Sequence, residues 1–443
     1  MSEIPAKPRI AVLGASGLIG EMLCTELSRE GHEVVPVARS FTQRQLAAFE
    51  GRAVLFPLVD ADAPGLAAEF IRIAPDLVVN CVGVLQDTAG SAAADVHEGF
   101  VSRLLGAMEE LAPALLVHVS VPGDAAEDRT SFSRTKRAGE AAIARSAIAH
   151  AILRPGFVLT HVPYGGSALM RALATLPVAL PEALAERPFA VTDGRDIART
   201  VAFLAAEWRA GRRDFRQTWD VMEREASSVG TVLQALRHQL GGPAPRLPAP
   251  GRLLDWAGRA GDLASRLGWR PPVRSTAIAE MRRGVRGDPS AWMRATGLVP
   301  LPGPAVVGRL GSGVQDLWFA RLYLLKALVI ATLALFWIVS GAIAISVAFD
   351  AASGILVDHG FSRPLADAVT VLTSLMDISI GVLIAHRRSC RLGLAAGVAL
   401  SLFYMAMAAV VTPAMWVEPL GALVKTGPAI VLMIVAFATW EDR

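Results

Sequence analysis

Three glycines, Gly14, Gly17 and Gly20, follow directly on the apolar run RIAVL. In such a pattern the first glycine permits a tight turn, the second lets the backbone approach a pyrophosphate, and the third lets the next helix pack on the strand. The helix that follows, EMLCTELSREG, turns its N-terminal amides toward the phosphates. The sequence therefore predicts a dinucleotide cradle made of Gly14, Ala15, Ser16, Gly17, Leu18, Ile19 and Gly20.

Further cofactor contacts are expected where the next strands end. Arg39 ends the second strand, where folds that select NAD commonly place an acid on the ribose hydroxyls, so the 2′-phosphate of NADP is favoured and NAD stays open. The alternative is that Arg39 is a solvated residue at a strand end. Asp60 is expected to cap the next turn or to contact the adenine amine, and the small residues Cys81, Val82 and Gly83 should run beside the cofactor.

These residues need a scaffold of alternating strands and helices. Six apolar runs, RIAVL, HEVVPVARS, AVLFPLVD, DLVVNCVG, ALLVHVSV and AILRPGFVL, are separated by helical segments. This alternation predicts an α/β, Rossmann-type doubly wound parallel sheet. After Arg195 the chain becomes helix-rich, which predicts a small helical lobe. We expect an NAD(P)-binding Rossmann domain at 1–212, a substrate or lid lobe with linker at 213–315, and a transmembrane domain at 316–443.

The soluble part resembles the extended and atypical branches of the short-chain dehydrogenase/reductase superfamily, including NAD-dependent epimerases and dehydratases. The matching residues are the three glycines, NCVG after the fourth strand and ILRPGFV at 152–158. In that family a serine orients the substrate oxygen, a tyrosine is the acid or base, and a lysine four residues later lowers the tyrosine pKa and holds the ribose. The resemblance implies catalytic roles for Ser120 and Lys136, while Phe132 stands at the tyrosine position.

Phe132 leaves two functions open, because phenylalanine has no dissociable proton and proton transfer is worth about 10²- to 10⁴-fold in rate. The first is a membrane-anchored NAD(P)-dependent oxidoreductase acting on a hydrophobic or membrane-associated, quinone-related substrate. A hydroxyl of Ser120, Thr130, Ser131 or Ser133 would then deliver the proton through water. The second is a non-catalytic, NADPH-binding assembly or stability factor for a respiratory or quinone-pathway complex, similar to the Rossmann-like accessory subunit of complex I.

The C-terminal part has the composition of a membrane domain. Charged residues make up 19% of the chain, yet residues 327–440 hold only ten of them. Four spans are predicted, at 327–349, 368–385, 392–411 and 420–440, which together form an all-α four-helix bundle. The signature PAMWVEPLGALVKTGP resembles DoxX-like domains. Arginines lie before the first span and between the second and third, so we expect an inner-membrane protein with both termini and the Rossmann domain in the cytoplasm.

Two charged residues fall within the predicted spans, Asp377 in the middle of one and Lys425 near the start of another. A carboxylate at that depth must face the bundle, be protonated or be paired. It could be a proton or quinone-headgroup site, or an internal polar contact with Ser374, Ser379 or Lys425. The resemblance places Asp377 and Lys425 among the polar positions of the module.

The net charge, the cysteine spacing and the N-terminal sequence limit which partners are expected. The net charge of +3 gives no basic excess for nucleic acid, and the three cysteines show neither CxxC nor His pairing, so no metal site is expected. The N-terminus lacks an apolar signal segment, so no cleaved signal is expected to export the soluble part. The expected partners are the lipid bilayer, a small hydrophobic substrate or quinone, and a respiratory-complex or self-association partner. Residues 251–269 form an amphipathic pattern, read either as a lid helix packed over the cleft or as a helix on anionic headgroups.

Overall fold

The computed structural model describes residues 8–85, 93–111, 113–417 and 421–440. The chain divides into two compact units. The first comprises Met1–Asp262 and Pro271–Ala320, and the second comprises Leu263–Arg270 and Arg321–Arg443.

The described strands all belong to the first unit. They are β1 (Arg9–Leu13), β2 (Glu33–Ala38), β3 (Val54–Leu55), β4 (Leu77–Asn80), β5 (Leu115–Val119), β6 (His150–Pro155), β7 (Phe157–Leu159), β8 (Val178–Ala179), β9 (Val191–Asp193), β10 (Arg216–Val221) and β11 (Leu247–Pro248).

The described α-helices extend over both units. They are α1 (Leu18–Arg29), α2 (Gln43–Ala48), α3 (Ala63–Ile73), α4 (Phe100–Glu109), α5 (Ser131–Arg145), α6 (Gly165–Ala174), α7 (Glu182–Ala185), α8 (Gly194–Arg209), α9 (Val229–Gln239), α10 (Gly251–Arg266), α11 (Ser275–Arg283), α12 (Ser290–Thr296), α13 (Gly303–Gly308), α14 (Val314–Ile345), α15 (Phe349–Asp358), α16 (Arg363–Ala385), α17 (Cys390–Val411) and α18 (Ala422–Ala438). A π-helical turn at Asp95–Gly99 leads into α4.

The main sheet is parallel and has the strand order β3-β2-β1-β4-β5-β6-β10. Side chains alternate between its faces. Ile10 and Val12 of β1 join a core with α1 and α8, whereas Ala11 and Leu13 join a second core with α3 and α4. Helices therefore cover both faces, which confirms the predicted doubly wound parallel sheet. The strand order places the carboxyl ends of the neighbouring strands β1, β4 and β5 side by side, and the candidate residues lie there.

Two strand predictions need correction. The predicted third strand, AVLFPLVD, pairs only at Val54 and Leu55, because Pro57 has no N–H to extend the ladder. A seventh strand, β10, lies in the region expected to be helix-rich, where no strand was predicted. Its sequence RQTWDV is partly polar because β10 is an edge strand that pairs on one side, with β6.

The second unit is helical. Among the residues that the structure describes, three helices are long and apolar enough to cross a membrane, namely α14, α16 and α17. The first predicted span, 327–349, is shifted: α14 starts at Val314 and ends at Ile345, and α15 follows as a separate short helix. The fourth predicted span begins at Leu420, which lies outside the described residues. Its place is taken by the 17-residue helix α18, so a fourth crossing stays a prediction.

Helix α10 forms where the amphipathic pattern predicts it, but the expectation that its apolar face packs as a lid is wrong. Leu253, Trp256 and Leu263 are more than half exposed. The face that packs carries Gly258 and Gly261 instead. An added Cβ at Gly261 would lie 1.8 Å from the carbonyl oxygen of Val273, so only glycine permits this close approach between α10 and the segment before α11.

Candidate functional site

Gly14 makes the tight turn between β1 and α1. Its φ of +76° is in the left-handed region that favours glycine, and a Cβ there would lie 3.1 Å from the backbone of Cys81. The amides of Gly14 and Ala15 both donate to the carbonyl of Val37, at 2.9 and 3.1 Å. Gly20 is equally confined, since its Cβ would lie 2.4 Å from the carbonyl oxygen of Gly14. The turn is thus locked between β2 and the end of β4.

The N-terminus of α1 faces this turn without a side-chain cap. Gly17 is its N-cap residue and offers no side-chain acceptor to the first-turn amides of Leu18 and Ile19. Four N–H groups at a helix start lack intrahelical partners and favour an anion. The carbonyl of Ser16 accepts from the side-chain Nε2 of Gln45 at 3.1 Å, which holds the loop against α2. The residues predicted to form the cradle therefore present an open anion-binding helix end.

Lys136 lies where the family places its lysine, and it is buried. Its Nζ donates to the carbonyl of Val119 at 2.9 Å and to that of Val82 at 3.2 Å. An ammonium has three donors, so one remains for a ligand. A Cβ on Gly83 would lie 3.1 Å from Nζ, so the glycine keeps the space beside the amine free. Burial lowers the pKa of Lys136 to about 8, because desolvation disfavours its charged form.

Ser120 immediately follows β5 and is also buried. Its amide donates to the carbonyl of Leu153 at 2.8 Å, but its Oγ has no hydrogen-bond partner among the described residues. A buried hydroxyl without a partner costs free energy unless a ligand satisfies it. The nearby Cys81 thiol is protonated, since burial raises its pKa to about 12. Ser120 and Lys136 therefore offer free hydrogen-bonding capacity beside the glycine turn, which fits a bound NAD(P).

Phe132, in the first turn of α5, contacts a histidine that the sequence interpretation missed. The rings of His97 and Phe132 pack edge to face with 5.6 Å between centroids. The Nε2 of His97 accepts from the amide of Val84 at 3.1 Å, and its Nδ1 lies 2.8 Å from the Oγ1 of Thr135. The histidine is thus a neutral tautomer with its proton on Nδ1.

His97 cannot replace the missing tyrosine as an acid. Burial, with a smaller contribution from the charge of Lys136, lowers its pKa to about 3. Its acceptor nitrogen is already occupied by the amide of Val84. No spacing in the sequence could have revealed this contact, because it depends on how the π-helical turn that carries His97 packs against α5.

Two of the hydroxyls considered as proton donors are committed elsewhere. Thr130 caps α5 by accepting from the amide of Ser133, and it also donates to Glu280 of α11. The two hydroxyls of Thr130 and Ser133 lie 2.9 Å apart. Among the four candidates, Ser120 is the one with a buried hydroxyl that lacks a partner within the described chain.

Helix α11 is fastened to the loop after β5 by charged residues that the sequence did not single out. Arg283 donates to Asp128 at 3.0 Å and to the carbonyl of Pro122 at 3.3 Å. Asp128 also pairs with Arg137 at 3.1 Å, and Arg137 pairs with Glu140 at the same distance. The helical lobe thus contributes α11 to the start of α5, next to Ser120 and Phe132.

Arg39 and Asp60 lie after β2 and β3 and are both exposed. Arg39 makes no ion pair within the described residues, so its guanidinium is free for a ligand. Asp60 does not cap the next helix, because Asp62 is the N-cap of α3 and accepts from the amide of Gly65 at 2.9 Å. Of the two roles expected for Asp60, contact with the adenine amine stays a prediction.

In the second unit, Asp377 of α16 is buried among the apolar helices. The hydroxyl of Tyr404, from α17, donates to its carboxylate at 2.9 Å. The expected partners Ser374 and Ser379 donate instead to carbonyls of their own helix, at 2.7 Å each. Lys425 is exposed and makes no ion pair in the described part of the chain. The structure therefore brings Asp377 together with a tyrosine that the sequence interpretation missed, and not with Lys425.

Two segments of the chain match known families. Residues 10–156 match the NAD dependent epimerase/dehydratase family, and residues 334–434 match the DoxX-like family. The dTDP-6-deoxy-L-talose 4-dehydrogenase (NAD(P)(+)) of Kitasatospora kifunensis is 34% identical over 115 residues, which are 26% of this chain and 35% of that enzyme. The chain thus matches about a third of the length of this curated relative.

Solved structures show the same fold. The enzyme WbmG of Bordetella bronchiseptica in complex with NAD is similar, with a TM-score of 0.51, 18% identity, and coverage of 70% of this chain and 94% of that one. The UDP-glucose-4-epimerase of Stenotrophomonas maltophila with bound NAD has a TM-score of 0.50, 18% identity, and coverage of 72% and 99%. The DoxX-like match and the three long apolar helices of the described chain indicate a membrane protein. The chain consists of an epimerase/dehydratase-like Rossmann domain followed by a C-terminal DoxX-like domain.

Proposed function

We propose that this chain is a membrane-anchored oxidoreductase that binds NADP in the glycine cradle and reduces a membrane-associated quinone. The observation that carries the proposal is the pair Ser120 and Lys136, buried beside the cradle with unused hydrogen-bonding capacity, with Phe132 in place of the acid. Bound NADPH would supply a hydride, and water would supply the second proton of the hydroquinone. Lys136 would hold the ribose, and Ser120 would orient the acceptor oxygen.

The missing tyrosine favours this class of acceptor on chemical grounds. Reduction of an ordinary carbonyl produces an alkoxide, about as basic as hydroxide, which must be protonated as it forms. Reduction of a quinone gives a phenolate-like anion, whose conjugate acid has a pKa of about 10. Such an anion is stable enough to form without a positioned acid. A site with Phe132 and a neutral, occupied His97 is therefore better suited to a quinone than to a sugar carbonyl.

The cofactor preference rests on Arg39. It is exposed at the end of β2 and makes no ion pair with any described residue, and no acid stands at that strand end to receive the ribose hydroxyls. The location in the inner membrane with both termini in the cytoplasm rests on Arg387 and Arg388, between α16 and α17, and on Arg391 in the first turn of α17. Reporter fusions at either terminus would test this orientation.

The direct test uses full-length protein in lipid nanodiscs. NADPH fluorescence should saturate on titration, and decylubiquinone should then be reduced with one NADPH consumed per quinone. Gly17→Asp should abolish both, because it adds a carboxylate at the phosphate-binding turn. Gly308→Asp, where an added Cβ meets open space, is the control and should change neither. Absence of NADPH binding by the wild-type protein would contradict the cofactor assignment.

A second function, a non-catalytic NADPH-binding assembly or stability factor for a respiratory or quinone-pathway complex, is favoured by the same lack of a titratable group at Phe132. It predicts saturable NADPH binding with no oxidation when decylubiquinone is added. Pull-down of respiratory subunits only in the presence of NADPH would then support it. Turnover with the quinone would eliminate it as the sole role.

A further inference from the structure

Helix α10 carries an apolar face that the described chain leaves open. Leu253, Trp256 and Leu263 are 56%, 67% and 60% exposed. They lie at helical spacing with Ala260 and Leu267, which are exposed as well. A stripe of this kind is normally buried against a partner. The opposite face of the helix is the glycine face that packs near α11, so folding of the first unit does not use the apolar stripe.

A row of arginines borders this stripe. Arg252, Arg259 and Arg266 are exposed, and at 100° per residue they lie along one edge of the apolar face. Arg270, also exposed, follows shortly after the helix ends. None of them makes an ion pair within the described residues. The guanidinium of Arg259 lies over the ring of Trp256, 5.9 Å from its centroid.

The acids of α10 do not neutralise this row. Asp255 pairs with Arg282 at 2.8 Å, and Asp262 pairs with Arg274 at 3.0 Å. Both acids point to α11 and the segment before it. The helix therefore presents an uncompensated positive edge beside a hydrophobic face, which is the arrangement of helices that lie in a membrane interface.

The segment that directly follows α10 contacts the residues at the end of α16. Residues 263–270 belong to the second unit. There the indole of Trp269 donates to the carbonyl of Ala385, the last residue of α16, at 2.7 Å. The amide of Arg387 donates to the carbonyl of Leu267 at 3.0 Å, and the ring of Trp440 lies 5.8 Å from that of Trp269. Helix ends with tryptophans mark the boundary between hydrocarbon and water.

We propose that α10 is an interfacial helix that inserts its apolar stripe into the surface of an anionic phospholipid bilayer, with the arginine row on the lipid phosphates. The occupant is a lipid surface for two reasons. A basic edge beside Leu253 and Trp256 matches anionic headgroups. In addition, the residues from Leu263 onward belong to the unit that contains the apolar helices. Cytoplasmic leaflets are anionic, and each nearby basic residue adds to the attraction. This inference does not depend on the quinone or on NADP.

The test uses full-length protein reconstituted in vesicles, with a nitroxide on Leu263→Cys. Unsubstituted protein treated with the same reagent supplies the background from the native cysteines. In vesicles containing phosphatidylglycerol, collisions with oxygen should exceed those with a water-soluble nickel complex. Leu55→Cys is the matched control, since Leu55 is an equally exposed leucine, at 63%, on an edge strand, and it should show the reverse.

The charge requirement is tested separately. The double substitution Arg259→Glu with Arg266→Glu should expose the label to the nickel complex. The control is Arg224→Glu with Arg246→Glu, which should not expose the label. Both of these arginines are also exposed and make no ion pair in the described residues. Equal protection in purely zwitterionic vesicles would overturn the anionic recognition. Full nickel access at position 263 in anionic vesicles would overturn insertion. Protection that persists in detergent with spin–spin broadening between copies would show that a second copy covers the face.

Discussion

The ring of Phe132 packs edge-on against the imidazole of His97, with 5.6 Å between their centroids. Because the imidazole nitrogens are held by Val84 and Thr135, neither side chain can exchange a proton with a substrate. The candidate site thus combines a glycine turn like that of the epimerase/dehydratase family with an unreactive pair at the position where that family has its acid.

Phe132→Tyr restores the hydroxyl and should separate two kinds of acceptor. Reduction of a simple aliphatic ketone or sugar carbonyl should rise from background by about 10²-fold or more, because the alkoxide gains a proton donor. Reduction of decylubiquinone should change by less than about threefold, since its anion needs no such donor. Steady-state NADPH oxidation with each acceptor measures both. A large gain with the quinone would contradict the proposed reason for Phe132.

Gly14→Ala should lose cofactor binding as well as stability. Its left-handed φ costs a side chain about 1–2 kcal/mol, and the Cβ would also press on the backbone at Cys81. Gly51 has the same φ of +76° with open space around it, so Gly51→Ala carries the strain alone. Thermal unfolding should detect both variants, whereas NADPH titration should detect only Gly14→Ala. Equal loss of binding in both would show a global effect.

Arg39→Asp should exchange the cofactor preference. Loss of a charge-assisted hydrogen bond to the 2′-phosphate should raise the Kd for NADPH by about 10- to 100-fold. The new carboxylate can accept from the ribose hydroxyls of NADH, so the Kd for NADH should fall. Titration of both cofactors against Arg39→Asp and Arg246→Asp separates a local effect from a change in net charge. An unchanged ratio of the two Kd values would remove Arg39 from the site.

Lys136 predicts a pH dependence of unfolding. Its pKa is about 8 in the folded chain, below the 10.5 of a free lysine, because burial disfavours the ammonium. Between these values the unfolded state binds more protons, so the free energy of unfolding should rise with pH from about 8 toward 10.5. The full gain is about 3 kcal/mol, and it is lost progressively as the pH falls from 10.5 to 8. Lys136→Met should flatten this rise in chemical denaturation between pH 7 and 9.5. An unchanged slope would show that the lysine is hydrated in solution.

The contact between Tyr404 and Asp377 should stabilise the helical unit. Tyr404→Phe leaves a buried carboxylate without its donor, and it should reduce the free energy of unfolding by about 1–2 kcal/mol. Ser379→Ala removes a hydroxyl bonded only to its own helix, so its effect should be near zero. Thermal unfolding in detergent compares the two. A larger loss for Ser379→Ala would rule out the interhelical contact as the source of stability.

The sequence by itself was sufficient for the fold class, for the glycine turn and for the membrane domain. Each of these depends on local patterns: apolar runs that repeat along the chain, glycines at positions that a side chain cannot occupy, and uncharged stretches long enough to cross a bilayer. The resemblance carried by Gly14, Gly17 and Gly20 also located Lys136 and the exchange at Phe132.

Only the tertiary structure decided which groups meet across the fold. His97 lies 35 residues before Phe132, and Tyr404 comes from a different helix than Asp377, so no spacing in the sequence joins them. The edge strand β10 was missed because its polar outer side hides the strand pattern. The sequence also left open whether Trp256 is buried or exposed, because an amphipathic pattern shows that a face is apolar but not what covers it. That depends on the glycine face of α10, where only the packed structure shows which side lies against α11.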